Sequence, residues 1–187
     1  MRKVKAAINM TLDGFCDHTA ISPDEEIHQH YTDLLKEGDV ILYGRITYQL
    51  MEFWQPMVNN PTGEKSMDDF AQAIDKISKL VFSHTWNTSD FKTLEWESAK
   101  LAKGTLEDEV NALKQQSGKD IFVGCRSLII QLLKLNLLDE LQLCIHPIIV
   151  GKGLPLFENI HEMKMLKLTH TKVFGSGAII LTYHPEK

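Results

Sequence analysis

Two segments of this chain follow one plan, and that plan limits what the chain can fold into. Val40-Ile41-Leu42-Tyr43-Gly44-Arg45-Ile46-Thr47-Tyr48 and Ile121-Phe122-Val123-Gly124-Cys125-Arg126-Ser127-Leu128 each run from an apolar strand through a glycine into a helix, with a basic residue and a hydroxyl beside the turn. Strands and helices that take turns in this way build a parallel sheet. A glycine at the strand end lets the backbone turn tightly and lets a ligand come close. Free N–H groups at the following helix start, with Arg and Ser or Thr beside them, favour an anionic phosphate. Used twice, the plan makes the chain a candidate for holding a phosphate-rich cofactor.

The remaining chain keeps the alternation. Residues 4–10 read as a buried strand that ends in the turn Asp13-Gly14. Ser22-Pro23 predicts a helix start, with a hydroxyl cap, Pro in the first turn, and Asp24, Glu25 and Glu26 against the positive helix end. Ile27, Tyr31, Leu34 and Leu35 recur at helical spacing up to Gly38. A strand over 40–43 and a short helix through Tyr48 and Met51 follow, then an irregular stretch from Trp54 through Pro61-Thr62-Gly63. The pattern predicts helices over 67–77, 105–116 and 128–138, and strands over 79–82, 121–123 and 141–150, the last interrupted by Pro147. Strands over 165–174 and 178–184 are joined by Gly175-Ser176-Gly177, a hairpin signal. The expectation is one α/β domain over residues 1–187, with a mostly parallel sheet and antiparallel strands at one edge.

A chain of 187 residues can bury a substantial core without metals or disulfides. Its formal net charge of −5 gives no general attraction to nucleic acid or to anionic membranes. Cys16, Cys125 and Cys144 are scattered without metal-ligand spacing, and the eight histidines form no H-E-x-x-H, so no metal is expected. Reduced thiols fit the cytoplasm. The first ten residues hold too short an apolar run for a signal peptide, and no stretch reaches transmembrane length.

Ligands of such a sheet sit at the carboxyl ends of the strands. Gly44, Arg45 and Thr47 occupy one end, and Gly124, Cys125, Arg126 and Ser127 another. At a third, Ser83, His84 and Thr85 follow Val81-Phe82. Three such ends suit a dinucleotide, and Arg45, or Ser83 with His84, could receive a 2′-phosphate, which argues for NADPH over NADH. The G-x-G-x-x-G fingerprint is absent, which disfavours an ordinary Rossmann domain. The plainer alternative is that the glycines only end strands and the hydroxyls only cap helices.

The segment from Asn9 through Asp13 and Gly14 to Phe15 is either a loop that closes over a nicotinamide or a common Asp-Gly turn. Glu26 and His28 lie on the helix after it and are candidate proton donors for reduction of a C=N or C=O bond. Cys125, next to Arg126 at a helix start, raises a thiol nucleophile as a rival, set against the ordinary use of Cys as a small packing residue.

In order along the chain, Thr11-Leu12-Asp13-Gly14-Phe15, the Gly44 motif, Val81-Phe82-Ser83-His84-Thr85, Ile121-Phe122-Val123-Gly124 and the block 138–157 resemble the dihydrofolate reductase-like superfamily. The resemblance is closest to the branch of the reductase half of bifunctional riboflavin-biosynthesis deaminase–reductases. No zinc-deaminase signature is present, so only the reductase half is matched. The resemblance implies an NADPH-dependent reductase acting on a small molecule; a homodimer is expected separately, because the exposed terminal edge strands would seek a partner. Gly44, Arg45 and Thr47 would meet the cofactor phosphates, and Ser83 and Thr85 would lie near the adenosine. Residues Gly124 to Leu128, Leu128 included, would cradle the pyrophosphate; Asp13 and Gly14 would belong to the loop near the nicotinamide. The second glycine turn is Gly-Gly in the family, with a cis peptide in dihydrofolate reductases, and here it is Gly124-Cys125. Counting back from Gly44 to the family's helix carboxylate reaches His28. The substrate implied is therefore pterin-, pyrimidine- or phosphoribosylaminouracil-like rather than dihydrofolate. A non-catalytic dinucleotide-binding protein is the alternative.

Overall fold

Along strand β2 (Gly38–Gly44) successive side chains leave opposite faces, as strand geometry dictates. Val40 and Leu42 enter one apolar cluster, and Ile41 and Tyr43 enter another. A strand buried on both faces needs helices on both, and these are present in the computed structural model, which describes residues 1–83, 86 and 96–186. Helices α1 (Glu25–Glu37) and α4 (Lys65–Lys76) pack together, and Leu34, Leu35 and Ile74 from them join the Ile41 side. Helices α5 (Leu106–Gln115) and α6 (Arg126–Lys134) cover the other with Leu106, Val110, Leu128, Ile129 and Leu132.

The sheet has eight strands among the described residues, in the order β4-β3-β2-β5-β1-β6-β8-β7. Strands β1 (Val4–Thr11), β2, β3 (Ser78–Phe82), β4 (Ala99–Leu101), β5 (Asp120–Val123) and β6 (Glu140–His146) are parallel. Strand β8 (Ile179–Pro185) pairs antiparallel with β6 and with β7 (Leu166–Val173). The expected α/β architecture, mostly parallel with a C-terminal antiparallel hairpin, is the one observed. Its consequence for function is that Thr11, Gly44, Phe82, Val123 and His146 all end strands on the same edge.

Several local expectations are corrected. Helix α1 is capped by Asp24, whose side chain accepts from the Ile27 amide at 2.9 Å, rather than by Ser22. Part of the stretch after Trp54 is helical: a 3-10 turn (Glu52–Trp54) leads into α3 (Gln55–Asn59), with Pro56 in its first turn, where a missing N–H does no harm. Strand β6 stops at His146 and does not reach residue 150, because Pro147 cannot donate to the ladder. Helix α6 starts at Arg126 and stops at Lys134. Asn136 takes a left-handed φ of 54°, and Leu137 N–H returns to Leu132 C=O at 3.0 Å, which closes the helix early. Strand β4 was too short to leave a periodic signal.

Candidate functional site

Strands β2 and β5 are neighbours with Leu42 opposite Val123, so the two glycine turns that follow them stand side by side. A Cβ placed on Gly44 would lie 3.1 Å from Cys125 Sγ and 3.5 Å from Ser127 Oγ. Helix α2 (Arg45–Met51) and helix α6 begin directly after these turns, and neither Gly44 nor Cys125 supplies a side-chain cap. By contrast, α1 and α5 are capped, the latter by Thr105, which accepts from the Asp108 amide. Two adjacent helix starts thus keep their first amides free of side-chain caps, which is what an anion seeks. Arg45 and Thr47 are half-buried beside them, and among the described residues their side chains make no hydrogen bond or ion pair. This donor set fits the diphosphate of a dinucleotide.

Other expected cofactor residues are placed differently. Arg126 is turned away: its Nε donates to Pro155 C=O at 2.6 Å, and Nη2 forms an ion pair with Glu158. The guanidinium clamps the 155–158 segment over α6. Leu128 is 3% exposed and belongs to the core, so only its backbone could meet a ligand. The Ser83 hydroxyl accepts from the Trp86 amide at 3.1 Å. His84 and Thr85 lie outside the described residues. The Gly124–Cys125 peptide is trans. Cys125 is 4% exposed with its Sγ 3.2 Å from Ser127 Oγ, a packed position that disfavours attack on an outside substrate.

Asp13 is a fastening. It accepts the Thr11 hydroxyl at 2.6 Å, the Gly151 amide at 2.7 Å and the Val150 amide at 3.2 Å. These bonds, the Thr11 hydroxyl foremost, hold its carboxyl below the usual range. Around it Leu12 N–H donates to Ile148 C=O, Cys16 N–H to Leu154 C=O and Leu156 N–H to Gly14 C=O. The chain reverses at Gly14 with a φ of 90°, which a side chain would resist. The first loop is therefore sewn to the loop after β6.

At the start of α1 the two candidate proton donors separate. Glu26 accepts the Gly175 amide at 2.7 Å and so ties α1 to the β7–β8 turn. His28 instead lines a cavity of about 570 Å³ with Asp24, Glu25, Phe53, Trp54 and Glu64. Its ring meets Trp54 edge-on, with centroids 5.6 Å apart. Burial lowers the His28 pKa, against the pull of Asp24 and Glu64.

A polar cluster that sequence reasoning missed adjoins this place. Asn9 Oδ1 accepts the Tyr31 hydroxyl at 3.0 Å and faces His146 Nε2 at 3.1 Å; Cys144 Sγ lies 3.6 Å from the same nitrogen. Burial lowers the His146 pKa and pushes the Cys144 thiol up to about 12. Asp24 acts on both and also bounds the cavity, so the cluster and the cavity are neighbours. The available signal was a polar residue at the carboxyl end of each of two apolar strands, Asn9 and His146. Among the described residues no group of three or more His, Cys, Asp or Glu is placed to hold a metal ion.

Known proteins resemble this chain in sequence and in fold. The chain is 34% identical over 191 residues to the Bacillus subtilis protein YyaP, covering 98% of this chain and 95% of that one. It is 26% identical over 183 residues to YwjB of the same organism, covering 94% of each. A Shewanella sp. PV-4 protein assigned to riboflavin biosynthesis superimposes with a TM-score of 0.72 at 19% identity, over 100% of both chains. A pyrimidine reductase-like protein from Corynebacterium diphtheriae gives 0.71 at 17%, over 100% of this chain and 92% of that one. Dihydrofolate reductase from Enterococcus faecalis gives 0.61 at 13%, over 99% and 97%. At these identities the structures establish the fold, which is that of the dihydrofolate reductase-like reductases. The model of the RibD C-terminal domain matches residues 2–180, and with nearly the whole chain matched, the protein belongs to that family.

Proposed function

We propose that the protein is an NADPH-dependent reductase of a small pyrimidine-, pterin- or phosphoribosylaminouracil-like substrate. The observation that carries this reading is the meeting of the Gly44 and Gly124 turns, each opening onto a helix start without a side-chain cap. Family membership supports the reaction class. A Thermotoga maritima relative of the fold is described as a deaminase and 5-amino-6-(5-phosphoribosylamino)uracil reductase, and a yeast one as a riboflavin biosynthesis reductase. Bound NADPH supplies the hydride.

The chain's own residues bind, orient and exclude water. Gly44, Arg45, Thr47 and the amides from Gly124 to Ser127 hold the diphosphate, with Arg45 towards the 2′-phosphate and Ser83 beside the adenosine. Gly14 and Asp13 shape the loop that shields the nicotinamide. His28, facing the cavity, passes a proton to the reduced ring, while Glu26 braces the helix that carries it. Residues 1–187 act as one unit in the cytoplasm. A homodimer forms through β7, a sheet edge whose side chains are exposed along nearly its whole length.

Titration of the purified protein with NADPH and NADH tests the reading. Arg45→Ala should weaken NADPH about tenfold or more and NADH much less, as expected for loss of a charge-assisted bond to phosphate. Equal loss for both removes Arg45 from the 2′-phosphate; failure of the wild type to bind either sinks the reading.

A further inference from the structure

The cavity at the start of α1 carries information about which substrate the site takes. Its aromatic wall is built in advance: Trp54 is held by Phe70, with ring centroids 4.6 Å apart, and by Phe53 at 5.5 Å. His28 completes that wall, and burial keeps its imidazole neutral near pH 7. Three carboxylates border the same space: Asp24, Glu25 and Glu64. The cation among the lining residues, Lys65, is paired one turn along its own helix with Asp69. Glu64 precedes α4 without capping it, and among the described residues its carboxylate accepts no hydrogen bond.

A flat ring between aromatic side chains, with carboxylates at its edge, is held best when it offers N–H donors. A phosphate in the same space would lie among these acidic residues; Lys65 is already paired, and the uncapped start of α4 carries Glu64 itself. We infer that this cavity holds the substrate, and that the substrate is a donor-rich, uncharged or cationic heteroaromatic ring that carries no phosphate. This rests on the reductase reading above and selects, among its three substrate classes, against the phosphoribosyl-linked one. The volume of about 570 Å³ is ample for one or two fused rings.

Two pairs of probes separate the elements of the inference. 2,4-Diaminopyrimidine and 2,4-dimethoxypyrimidine share a ring and differ in N–H donors; cytidine and cytidine 5′-monophosphate differ by the phosphate. Binding is measured by calorimetry, with the His28 ring signals followed by NMR. The diamino compound should bind at least tenfold more tightly than the dimethoxy one and shift the His28 signals, and cytidine should bind at least tenfold more tightly than its monophosphate. Glu64→Gln, at an exposed position that caps nothing, should weaken the diamino compound about fivefold, and Glu64→Lys should narrow the gap between cytidine and its monophosphate. Equal or tighter binding of the monophosphate, or binding that leaves His28 unmoved, overturns the inference. The NADPH titration keeps the two claims apart. If NADPH binds and the diamino compound does not, the cavity assignment fails alone; if NADPH does not bind, the reductase reading fails, whatever the pyrimidines do.

Discussion

Asn9 Oδ1 stands 3.1 Å from His146 Nε2, a diagonal pair that joins the neighbouring strands β1 and β6 near their carboxyl ends. The same oxygen takes the Tyr31 hydroxyl, so one amide connects two strands and α1. Tyr31→Phe removes one donor and should cost about 1 kcal/mol in chemical denaturation. Asn9→Asp places a carboxylate against the imidazole and should raise the His146 pKa, reversing its depression. An unchanged His146 midpoint by NMR titration would reject this geometry.

Acid should weaken the fold early. His28, His30 and His146 all have pKa values lowered from 6.5 by burial. The unfolded chain then binds protons that the folded one refuses, so stability is present above pH 6.5 and is lost as pH falls from there towards the folded values. Unfolding free energy measured in urea should drop from pH 7 to pH 5, and His146→Gln should flatten that slope. A level profile over this range contradicts the burial of these rings.

The glycine at the end of β2 is tight against its neighbour. Gly44→Ala would bring a methyl 3.1 Å from Cys125 Sγ, and should lower stability by about 1–2 kcal/mol. Cys125→Ala in the same chain removes the sulfur and should recover most of the loss. Additive destabilisation in the double variant would mean that the two residues do not meet.

Asp13→Ala frees the Val150 and Gly151 amides and the Thr11 hydroxyl together. The expected result is a lower midpoint in chemical denaturation and faster hydrogen exchange at Gly151. Protection of that amide equal to the wild type would show that the two loops hold together without the carboxylate.

If His28 passes the proton, turnover should rise as pH falls below 6.5, because the lowered pKa leaves little imidazolium at pH 7. His28→Gln should abolish the rise while leaving NADPH affinity unchanged. Loss of cofactor affinity in that variant would instead place His28 at the dinucleotide.

What could be read from the sequence was local. The strand–glycine–helix plan at Gly44 and Gly124 announced itself because turn and helix-start chemistry sit within eight residues of each other. The parallel core and the Gly175-Ser176-Gly177 hairpin followed from periodicity in the same way. Pairings between distant residues left no such mark. That Arg126 would reach Pro155, Asp13 would reach Gly151, and Glu26 would reach Gly175 depends on which strands become neighbours, and no window of sequence contains both partners. The cap of α1 was missed for a smaller reason: Ser and Asp are both good caps, and Ser22 stands only two residues before Asp24.

The bond between Glu26 and Gly175 spans 149 positions of chain, and β8 wedges itself between β6 and β7 only after everything before it exists. During synthesis the helix that carries His28 must wait for this brace until residue 175 has emerged. The cavity beside His28 therefore gains this support after the parallel strands have formed, and a chain cut short before residue 175 would keep those strands while losing the tie that steadies the start of α1.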